Sequence, residues 1–489
     1  MSLNSSIREF LLDPAMAGSL SVPLDRFVLH AKDGDVKLAA HLRCSSEGKG
    51  FILELRDDES RDISEFFENQ AHYSEDDGIA AVGWLDGRFP IEFARLFRPG
   101  HSTRTLIGIP KSSRATLNPS KIRIPPDRAD HLPDELDSTA EAGGSRTYSH
   151  FAIFRNTKLM MVNKGVKEKR LHPFLGETST EREEVWISEA LGGEYCLHQA
   201  GDHLEIHFRH KADTDEKAMT QFWCLIDAVS LIHAILPWPT YRQHRRDGTL
   251  LERELALHGA MPQGRFVPFR KSDTYGNSSA GSLLASVALL LSDSPQEHRE
   301  RLKRLLWVYR GADTTTAPFP TQLIGVCTVV EGLVELLLEE KVPAPPDFLA
   351  LRTEASNWAT EHFPENPHAK RLAGYIKGWH YQDRRTSWRA AFDPLFPDKT
   401  EWLNELFGIF NKHRHGLAHG NFDRILTDDS HGDLQALSRL AGLVNLTFAA
   451  MAGFGGRLLE APFGDKKILL DPTGRVKTLT TCNPQINAR

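Results

Sequence analysis

The sequence predicts an α+β multidomain protein, in which an N-terminal β-rich domain of the sandwich or barrel type is followed by an all-α helical bundle. Apolar residues alternate with polar ones in short segments through the first 212 residues. From about Asp213 onward the apolar residues recur at helical spacing. A chain of 489 residues is also too long for a single hydrophobic core, which favours several domains.

Short extended segments between polar, Gly or Pro breaks carry the β prediction for residues 1–212. In "DVKLAAHL" the apolar residues stand at every second position, as in an antiparallel strand with one buried face. The segments "FILEL", "FPIEFARLF", "TRTLIGI", "HFAIFRNTKLMMV" and "LEIHFRH" have the same character. The intervening stretch "NPSKIRIPPDRADHLPDELDSTAEAGGSR" is rich in Pro, Asp and Gly and predicts a long loop.

Helical periodicity carries the rest of the prediction. "TDEKAMTQFWCLIDAVSLIHAIL" has acidic residues in its first turn and is stopped by "PWP", so it closes the β region, and residues 213–295 are predicted to form a helical connector. Residues 296–460 are predicted to form the helical domain, and residues 461–489 an irregular tail. The predicted helices of the helical domain are "SPQEHRERLKRLLWVYRGA", "FPTQLIGVCTVVEGLVELLLEEK", "DFLALRTEASNWATEHF", "PHAKRLAGYIKGW", "KTEWLNELFGIFNKH" and "LQALSRLAGLVNLTFAAMAGF".

Charge and cysteine usage limit the possible environments and partners. The net charge of -6 means that any contact with nucleic acid must come from a local basic patch. The five cysteines contain no C-x-x-C pair, which predicts neither a disulfide framework nor a cysteine-rich zinc module and favours a reducing, cytoplasmic compartment. The N-terminus lacks the pattern of a signal peptide, and we expect no apolar stretch near the roughly 18 residues of a membrane span, hence no membrane contact.

The segment "NKHRHGLAHGNF" concentrates three histidines and one arginine within seven residues. Arg414 and His419 together supply what metal-free RNA cleavage requires, namely a fixed cation for the phosphate and a group that exchanges a proton near neutral pH. On an ideal helix, positions five apart diverge by about 140 degrees, so one pair would converge poorly on a phosphate. Either the helix loosens at Gly416 or a second subunit supplies the complementary pair.

Two other interpretations of this segment remain open. His415 and His419 are four residues apart, a spacing that can chelate zinc, but a closed site needs two further ligands. His413 would point about 200 degrees away from His415 on such a helix. Alternatively, the segment is an ordinary helix C-terminus, in which basic side chains face the negative end of the dipole and Gly420 ends the helix.

"RHGLAH", Arg414 to His419, resembles the R-polar-x-x-x-H signature of HEPN domains. "VVEGLVELLL" resembles the early HEPN helix whose glutamate, here Glu331, is oriented toward the catalytic arginine. Some HEPN families carry a lysine where this chain has Glu335. The resemblance implies a helical bundle in which Arg414 and His419 are catalytic and His415 occupies the polar position. It also implies that no metal or other cofactor is needed.

The order of a β-rich domain followed by helices resembles that of anti-phage HEPN proteins. It implies an endoribonuclease that cleaves RNA, with tRNA as one candidate substrate, in abortive infection, and that acts as a homodimer or higher homo-oligomer. The N-terminal domain would then be the sensor that recognises a phage protein or nucleic acid as the trigger. The alternative is a non-catalytic sensor or scaffold that dimerises through its helical bundle.

Two short basic stretches are candidates for contacting RNA. "YQDRRTSWR" combines Arg384, Arg385 and Arg389 with Trp388, and "YRQHRRD", residues 241–247, combines three arginines with a tyrosine. In each, cations accompany an aromatic ring that could stack on a base. Ordinary surface charge is the competing explanation for both stretches.

Overall fold

The structure is a computed structural model, and the chain divides into two compact units, Met1–Asp293 with Thr314–Thr316, and Ser294–Asp313 with Ala317–Arg489. Strands occupy the N-terminal half and helices dominate the C-terminal half, so the predicted α+β layout is confirmed. The residues that the structure describes are 15, 19–31, 34–44, 51–56, 79–85, 89–97, 114–123, 145–155, 157, 171–172, 176–177, 185–256, 263–269, 279–313, 318–338, 346–364, 366–377, 384–418, 430–462, 467–470 and 476–477.

Six antiparallel strands at the start of the chain form a closed barrel. They pair in the order β6-β3-β2-β1-β4-β5, and β5 pairs back with β6. The interior is apolar, and its buried side chains include Phe27, Leu42, Leu53, Ile91 and Phe93. Closure removes the open edges that these six strands would have in a flat sheet. The strands are β1 Ser21–Ala31, β2 Gly34–Cys44, β3 Phe51–Arg56, β4 Ile79–Leu85, β5 Phe89–Phe97 and β6 Arg114–Arg123.

The same sheet continues beyond the barrel through six further strands, in the order β6-β14-β13-β7-β12-β11-β10. The helices α1, Asp215–His233, and α2, Ser279–Asp293, pack against each other, and Thr214 caps α1 by accepting a hydrogen bond from the Lys217 N–H. The strands are β7 Arg146–Arg155, β10 Val185–Ala190, β11 Gly193–Ala200, β12 His203–Ala212, β13 Tyr241–Arg246 and β14 Thr249–Leu255, while the short β8 Leu171–His172 and β9 Gly176–Glu177 pair with each other.

Two expectations for this unit were wrong. The hairpin β13–β14 lies within residues 213–295, which were expected to be a helical connector, and it joins the centre of the sheet. Its register shifts between His244 and Arg245, and five of the six residues of β13 are polar or charged, so no period-two apolar alternation marks the strand. A loop was expected to begin at Asn118, but residues 118–123 belong to strand β6. Pro119 concealed the strand, because proline is rare inside sheets. The expected strand "TRTLIGI" lies outside the described residues.

Three histidines from adjacent strands form a buried hydrogen-bonded chain. The Nδ1 atoms of His150 and His244 are 2.6 Å apart, and Nε2 of His150 is 3.0 Å from Nε2 of His210. Phe222 of α1 stacks on His150 with ring centroids 4.8 Å apart. Because Arg242 can only donate, its contact with Nε2 of His244 at 3.3 Å makes that nitrogen an acceptor. His244 then donates through Nδ1 to His150, which donates through Nε2 to His210.

This histidine chain should make the N-terminal unit sensitive to acid. Burial lowers the pKa of His244 to about 3 and that of His210 to about 4, and it holds the pKa of His150 well below its ordinary value of 6.5. The unfolded chain therefore binds more protons than the folded one below pH 6.5, and stability falls as the pH falls toward 4. We expect a slope of up to about 1.4 kcal/mol per pH unit for each histidine.

Hydrogen exchange of strands β7 and β12, measured between pH 7 and pH 4.5 and corrected for intrinsic rates, would check this dependence. His210→Phe should flatten it. His368→Asn, which changes an exposed histidine in the other unit, should leave the slope unchanged. A slope that is the same in wild type and in His210→Phe would contradict the prediction.

The second unit is a helical bundle followed by a small sheet. The helices α3 and α4 approach closely, since Gly325 faces Ala312 and Gly332 faces Leu305 where any Cβ would clash. The described helices are α3 Gln296–Ala312, α4 Phe319–Leu337, α5 Pro346–His362, α6 Pro367–Lys377, α7 Arg384–Phe392, α8 Thr400–Ala418 and α9 Ser430–Met451, and the strands are β15 Gly456–Leu459, β16 Lys467–Leu470 and β17 Val476–Lys477.

Two features of this unit differ from the expectation. Helix α7 was absent from the predicted helices, because it is only nine residues long and five of them are charged or polar. The residues after 460 were expected to be irregular, but β16 and β17 pair in a three-stranded antiparallel sheet with β15. The six helices predicted between 296 and 460 are all present as α3–α6, α8 and α9.

Within the described parts of the chain, two helices are long and apolar enough, by length and composition alone, to cross a membrane. They are Phe319–Leu337 and Gly432–Met451, so the expectation that no apolar stretch approaches this length was wrong. This is weak evidence for a membrane, because core helices of soluble proteins pass the same test, and most of the second segment is buried inside the bundle. The absence of membrane contact stays a prediction.

Candidate functional site

Helix α8 positions the arginine of the candidate site. Leu403, Leu406 and Phe410 recur at helical spacing and are buried, which fixes one face of α8 in the bundle. The helix continues through Gly416 to Ala418. Gly416 therefore does not end or interrupt the helix, while His419 and its position relative to Arg414 lie outside the described residues.

Arg414 forms a bidentate ion pair with Glu331 of α4. Its Nη2 donates to Oε1 at 3.0 Å and to Oε2 at 3.1 Å, and its Nε donates to Oε2 at 3.2 Å. The side chains of Arg414 and Glu331 are 29% and 41% exposed, so the pair lies at the surface and remains accessible to solvent. The carboxylate fixes the plane of the guanidinium, and the Nη1 group lies outside the pair.

Cys327 lies one turn before Glu331 on α4 and lines the buried side of the ion pair. Burial raises the pKa of its thiol to about 12, while Arg414 lowers it and Glu331 raises it by their charges. The thiol is therefore protonated at neutral pH and is no nucleophile there. Cys327 was not among the predicted site residues, although it stands four residues before Glu331, on the same face of a helix.

His413 belongs to the packing between α8 and α9 and lies away from the ion pair. Its side chain is buried, and Nε2 is 3.8 Å from Oδ1 of Asp433 on α9. Burial lowers the pKa of His413, and Asp433 partly opposes this shift by raising it. A groove of about 490 Å³ passes this residue between Lys412 and Arg439. His413 is thus a structural histidine of the helix interface.

The described residues include only the backbone of one of the other two histidines of the segment. The backbone of His415 lies in α8, but its side chain is outside the described residues, as is the whole of His419. Among the residues that are described, no group of three or more His, Cys, Asp or Glu side chains could hold a metal ion. The zinc interpretation, which uses His415 and His419, is not tested by this observation.

The basic stretch on α7 offers less to RNA than its composition indicated. Trp388 is buried against Phe392, Phe407 and Phe410, so it cannot stack on a base as expected. Arg389 is held by Asp393, whose carboxylate lies 2.7 Å from Nε. Arg385 is exposed, and the side chain of Arg384 lies outside the described residues.

The second basic stretch forms strand β13, and its side chains make contacts within the fold. Arg242 donates to Glu254 at 2.8 Å and to Glu252 at 3.0 Å, and its guanidinium lies 5.4 Å from the ring centroid of Trp223. Arg246 pairs with Asp215 at 3.0 Å. The aromatic residue of the stretch, Tyr241, is buried. These side chains are therefore engaged by partners within the fold, and Arg246 is only partly exposed.

The described part of the candidate site is thus the Arg414–Glu331 pair, presented by α8 and α4 on the surface of the helical unit. A fixed guanidinium of this kind can bind a phosphate oxygen through donors outside the pair. Comparison with known proteins adds no relative: no family model matches the sequence, and no curated protein and no solved structure is significantly similar to it.

Proposed function

We propose that this protein is a metal-independent endoribonuclease of the HEPN class that cleaves RNA in defence against phage. The observation that supports the proposal is the Arg414–Glu331 ion pair. The sequence resemblance named the same glutamate on the early helix as the partner of the catalytic arginine, and the two residues are 83 positions apart in the chain.

The proposed chemistry uses the 2'-hydroxyl of the RNA as the nucleophile. His419 accepts the hydroxyl proton, the 2'-oxygen attacks the adjacent phosphorus, and the bond to the 5'-oxygen breaks as the protonated imidazole returns the proton to that oxygen. Arg414 stabilises the negative charge on the phosphorane through its guanidinium. The products are a 2',3'-cyclic phosphate and a 5'-hydroxyl end, and no water or metal is consumed in this step.

Glu331 has two roles in this proposal. It holds the guanidinium of Arg414 in one orientation, which reduces the conformational entropy lost when a phosphate binds. It also places a negative charge next to the cation, so a phosphate must approach the Nη1 side of Arg414 and not the side that the carboxylate occupies. His415, in the polar position of the motif, would orient the site or bind a flanking phosphate.

We further propose that the active form is a cytoplasmic homodimer or higher homo-oligomer. Arg414 and His419 would diverge on a helix that continued to His419, so two copies of the motif facing one cleft would provide both groups to one phosphate. The N-terminal barrel and sheet would sense the trigger, a phage protein or nucleic acid. The RNA substrate, with tRNA as one candidate, and the anti-phage role rest on the resemblance.

A non-catalytic scaffold or sensor is the second candidate. It is favoured by the engagement of both Nε and Nη2 of Arg414 with Glu331, as in an ion pair that only joins two helices. In this case the helical unit would serve for assembly and the N-terminal unit for recognition.

The chemistry of the RNA ends distinguishes the two candidates. RNA from cells expressing wild type, Arg414→Ala or His419→Ala is sequenced after end-specific ligation, in the presence of the activating phage. The nuclease predicts new 2',3'-cyclic phosphate and 5'-hydroxyl ends at discrete positions in wild type and in neither variant. Ends that persist in both variants, or that require a chelatable metal, would contradict the proposal.

A further inference from the structure

The groove between α8 and α9 is lined by a buried histidine that has an unsatisfied ring nitrogen. The volume of the groove, about 490 Å³, is that of a small-molecule site. The side chain of His413 is only 5% exposed, and its Nδ1 atom has no hydrogen-bond partner among the described residues. Leaving a buried polar atom without a partner is costly, so this atom indicates that the groove holds a ligand or an ordered water.

The two least exposed polar side chains of the groove, His413 and Asp433, are acceptors of hydrogen bonds. Asp433 is 14% exposed, and its Oδ1 lies 3.8 Å from Nε2 of His413. Burial lowers the pKa of His413, so the ring is neutral at pH 7 and carries a single proton. A proton on Nε2 faces the carboxylate, and Nδ1 is then an acceptor. This acceptor pair suits a ligand that brings several N–H donors.

The other charges of the groove limit what that ligand is. Glu405 and Arg439 form an ion pair with each other, and Glu405 stands eight residues, or about 12 Å, before His413 on α8. Lys412 is exposed beside the acceptor pair and offers one cation to a phosphate group. The groove thus carries two cations and two carboxylates, and it attracts neither a polycation nor a polyanion strongly. A neutral heterocycle with adjacent donors fits it best.

Among the nucleobases, guanine alone presents two adjacent N–H donors, at N1 and at the amino group, to a single carboxylate. Adenine and cytosine place a ring nitrogen acceptor beside the amino group, and uracil flanks its N–H with two carbonyl oxygens. A carboxylate repels these acceptors, so Asp433 would select guanine by repulsion as well as by attraction. Ile409 and Ala436 also line the groove and suit the apolar planes of a base.

A glycine in the interior of α8 leaves open space along the same groove. Gly408 lines the groove and is exposed, and a Cβ built on it would meet no atom of the described residues within 4 Å. Glycine weakens the interior of a helix, and no described neighbour approaches closely enough to require its small size. A bound ligand that contacts the backbone of α8 would account for this glycine.

We propose that the groove between α8 and α9 binds a guanine nucleotide, with the Watson–Crick edge of the base on Asp433 and the phosphate near Lys412. The remaining amino hydrogen is donated to Nδ1 of His413. A free nucleotide and a guanosine within RNA present the same edge. All residues of α8 that line the groove stand at least about 100 degrees from Arg414 around the helix, so this site is separate from the proposed cleavage site and does not depend on it.

Binding to the full chain tests the site without relying on cleavage. Calorimetry compares GMP with AMP, and fluorescence anisotropy compares labelled hexauridine RNAs that carry one central guanosine or adenosine. The RNA arm uses His419→Ala so that the probe is not cut. We expect a preference for guanine of at least about tenfold in one arm or in both. A preference seen with GMP assigns the site to free nucleotides, and a preference seen only with RNA assigns it to guanosine in RNA.

Asp433→Asn tests the specificity directly. An asparagine amide offers one acceptor and one donor, which match the edge of adenine, so the preference should shift from guanine toward adenine. Misfolding would not produce such a reversal. Gly408→Leu fills the open space while favouring the helix, and it should weaken binding at least about tenfold. Gly374→Leu is the matched control, because Gly374 is also an exposed helical glycine with nothing within 4 Å of a Cβ.

The proposal is overturned if neither arm shows a preference for guanine, which would mean that the groove holds only ordered water. It is also overturned if Asp433→Asn keeps the preference of wild type, or if Gly374→Leu weakens binding as much as Gly408→Leu. A protein that prefers guanine but cuts no RNA would contradict the proposed ribonuclease and not this site. A ribonuclease that binds guanine and adenine equally would do the reverse.

Discussion

Arg414→Ala is expected to lower the rate of RNA cleavage by about 10²- to 10³-fold, the loss typical of removing one preorganised donor to a developing negative charge. Arg414→Lys should lose nearly as much, because an ammonium group is a point charge that cannot reproduce a fork held by Glu331. Glu331→Gln keeps the shape of the side chain but not its charge. We expect an approximately tenfold loss for it, since the guanidinium loses its fixed orientation but not its positive charge.

Rates are measured as single-turnover cleavage of a defined RNA by activated protein. Arg439→Ala is the control, because Arg439 also forms a partly exposed ion pair with a glutamate, Glu405, in the same helical unit. Exposed pairs of this kind contribute about 0–1 kcal/mol to stability, so neither arginine variant should unfold the protein. Equal activity in wild type and Arg414→Ala, or an equal loss in Arg439→Ala, would indicate that Arg414 acts only as a helix contact.

The sequence predicted the layout well where periodicity is undisturbed. The segment "FPIEFARLF" is strand β5 without a residue of difference, and the helices with strong apolar spacing are all present. The hairpin at 241–255 was missed because its burial comes from charged side chains. Arg242 and Glu254 satisfy each other inside the fold, whereas a pattern based on hydrophobicity assigns both to solvent.

The sequence predicted only part of the candidate site, because a motif identifies residue types at a spacing but not which side chains are buried. Arg414 and Glu331 are in contact, as the resemblance implied. Composition alone could not distinguish the exposed Arg385 from Trp388, which stands three residues later and is buried. An aromatic residue near cations predicts base stacking only when its ring is free, and on a short helix the helical period decides which side chains face the core.

Arg310→Met is expected to lower the free energy of unfolding of the helical unit by about 3–5 kcal/mol, because it leaves a buried carboxylate without its cation. Nη1 of Arg310 donates to Oδ2 of Asp313 at 2.7 Å, and both side chains are only 1% exposed. The guanidinium also lies over the ring of Tyr309, 4.4 Å from its centroid. The hydroxyl of Tyr309 donates to the carbonyl of Ala441 at 2.9 Å and so joins α3 to α9.

The double variant Arg310→Met with Asp313→Leu separates charge from packing. If the cost of the single variant is the unpaired carboxylate, removing that carboxylate should recover more than half of the lost stability, since apolar residues of similar size can replace a buried ion pair without loss. Arg304→Met, at an exposed position of the same helix, should change stability by less than about 0.5 kcal/mol. Urea unfolding of the full chain, followed by hydrogen exchange in α3 and α9, measures all three. An equal loss in the single and double variants would mean that the stacked arrangement of Arg310 on Tyr309, and not the neutralisation of Asp313, holds these two helices together.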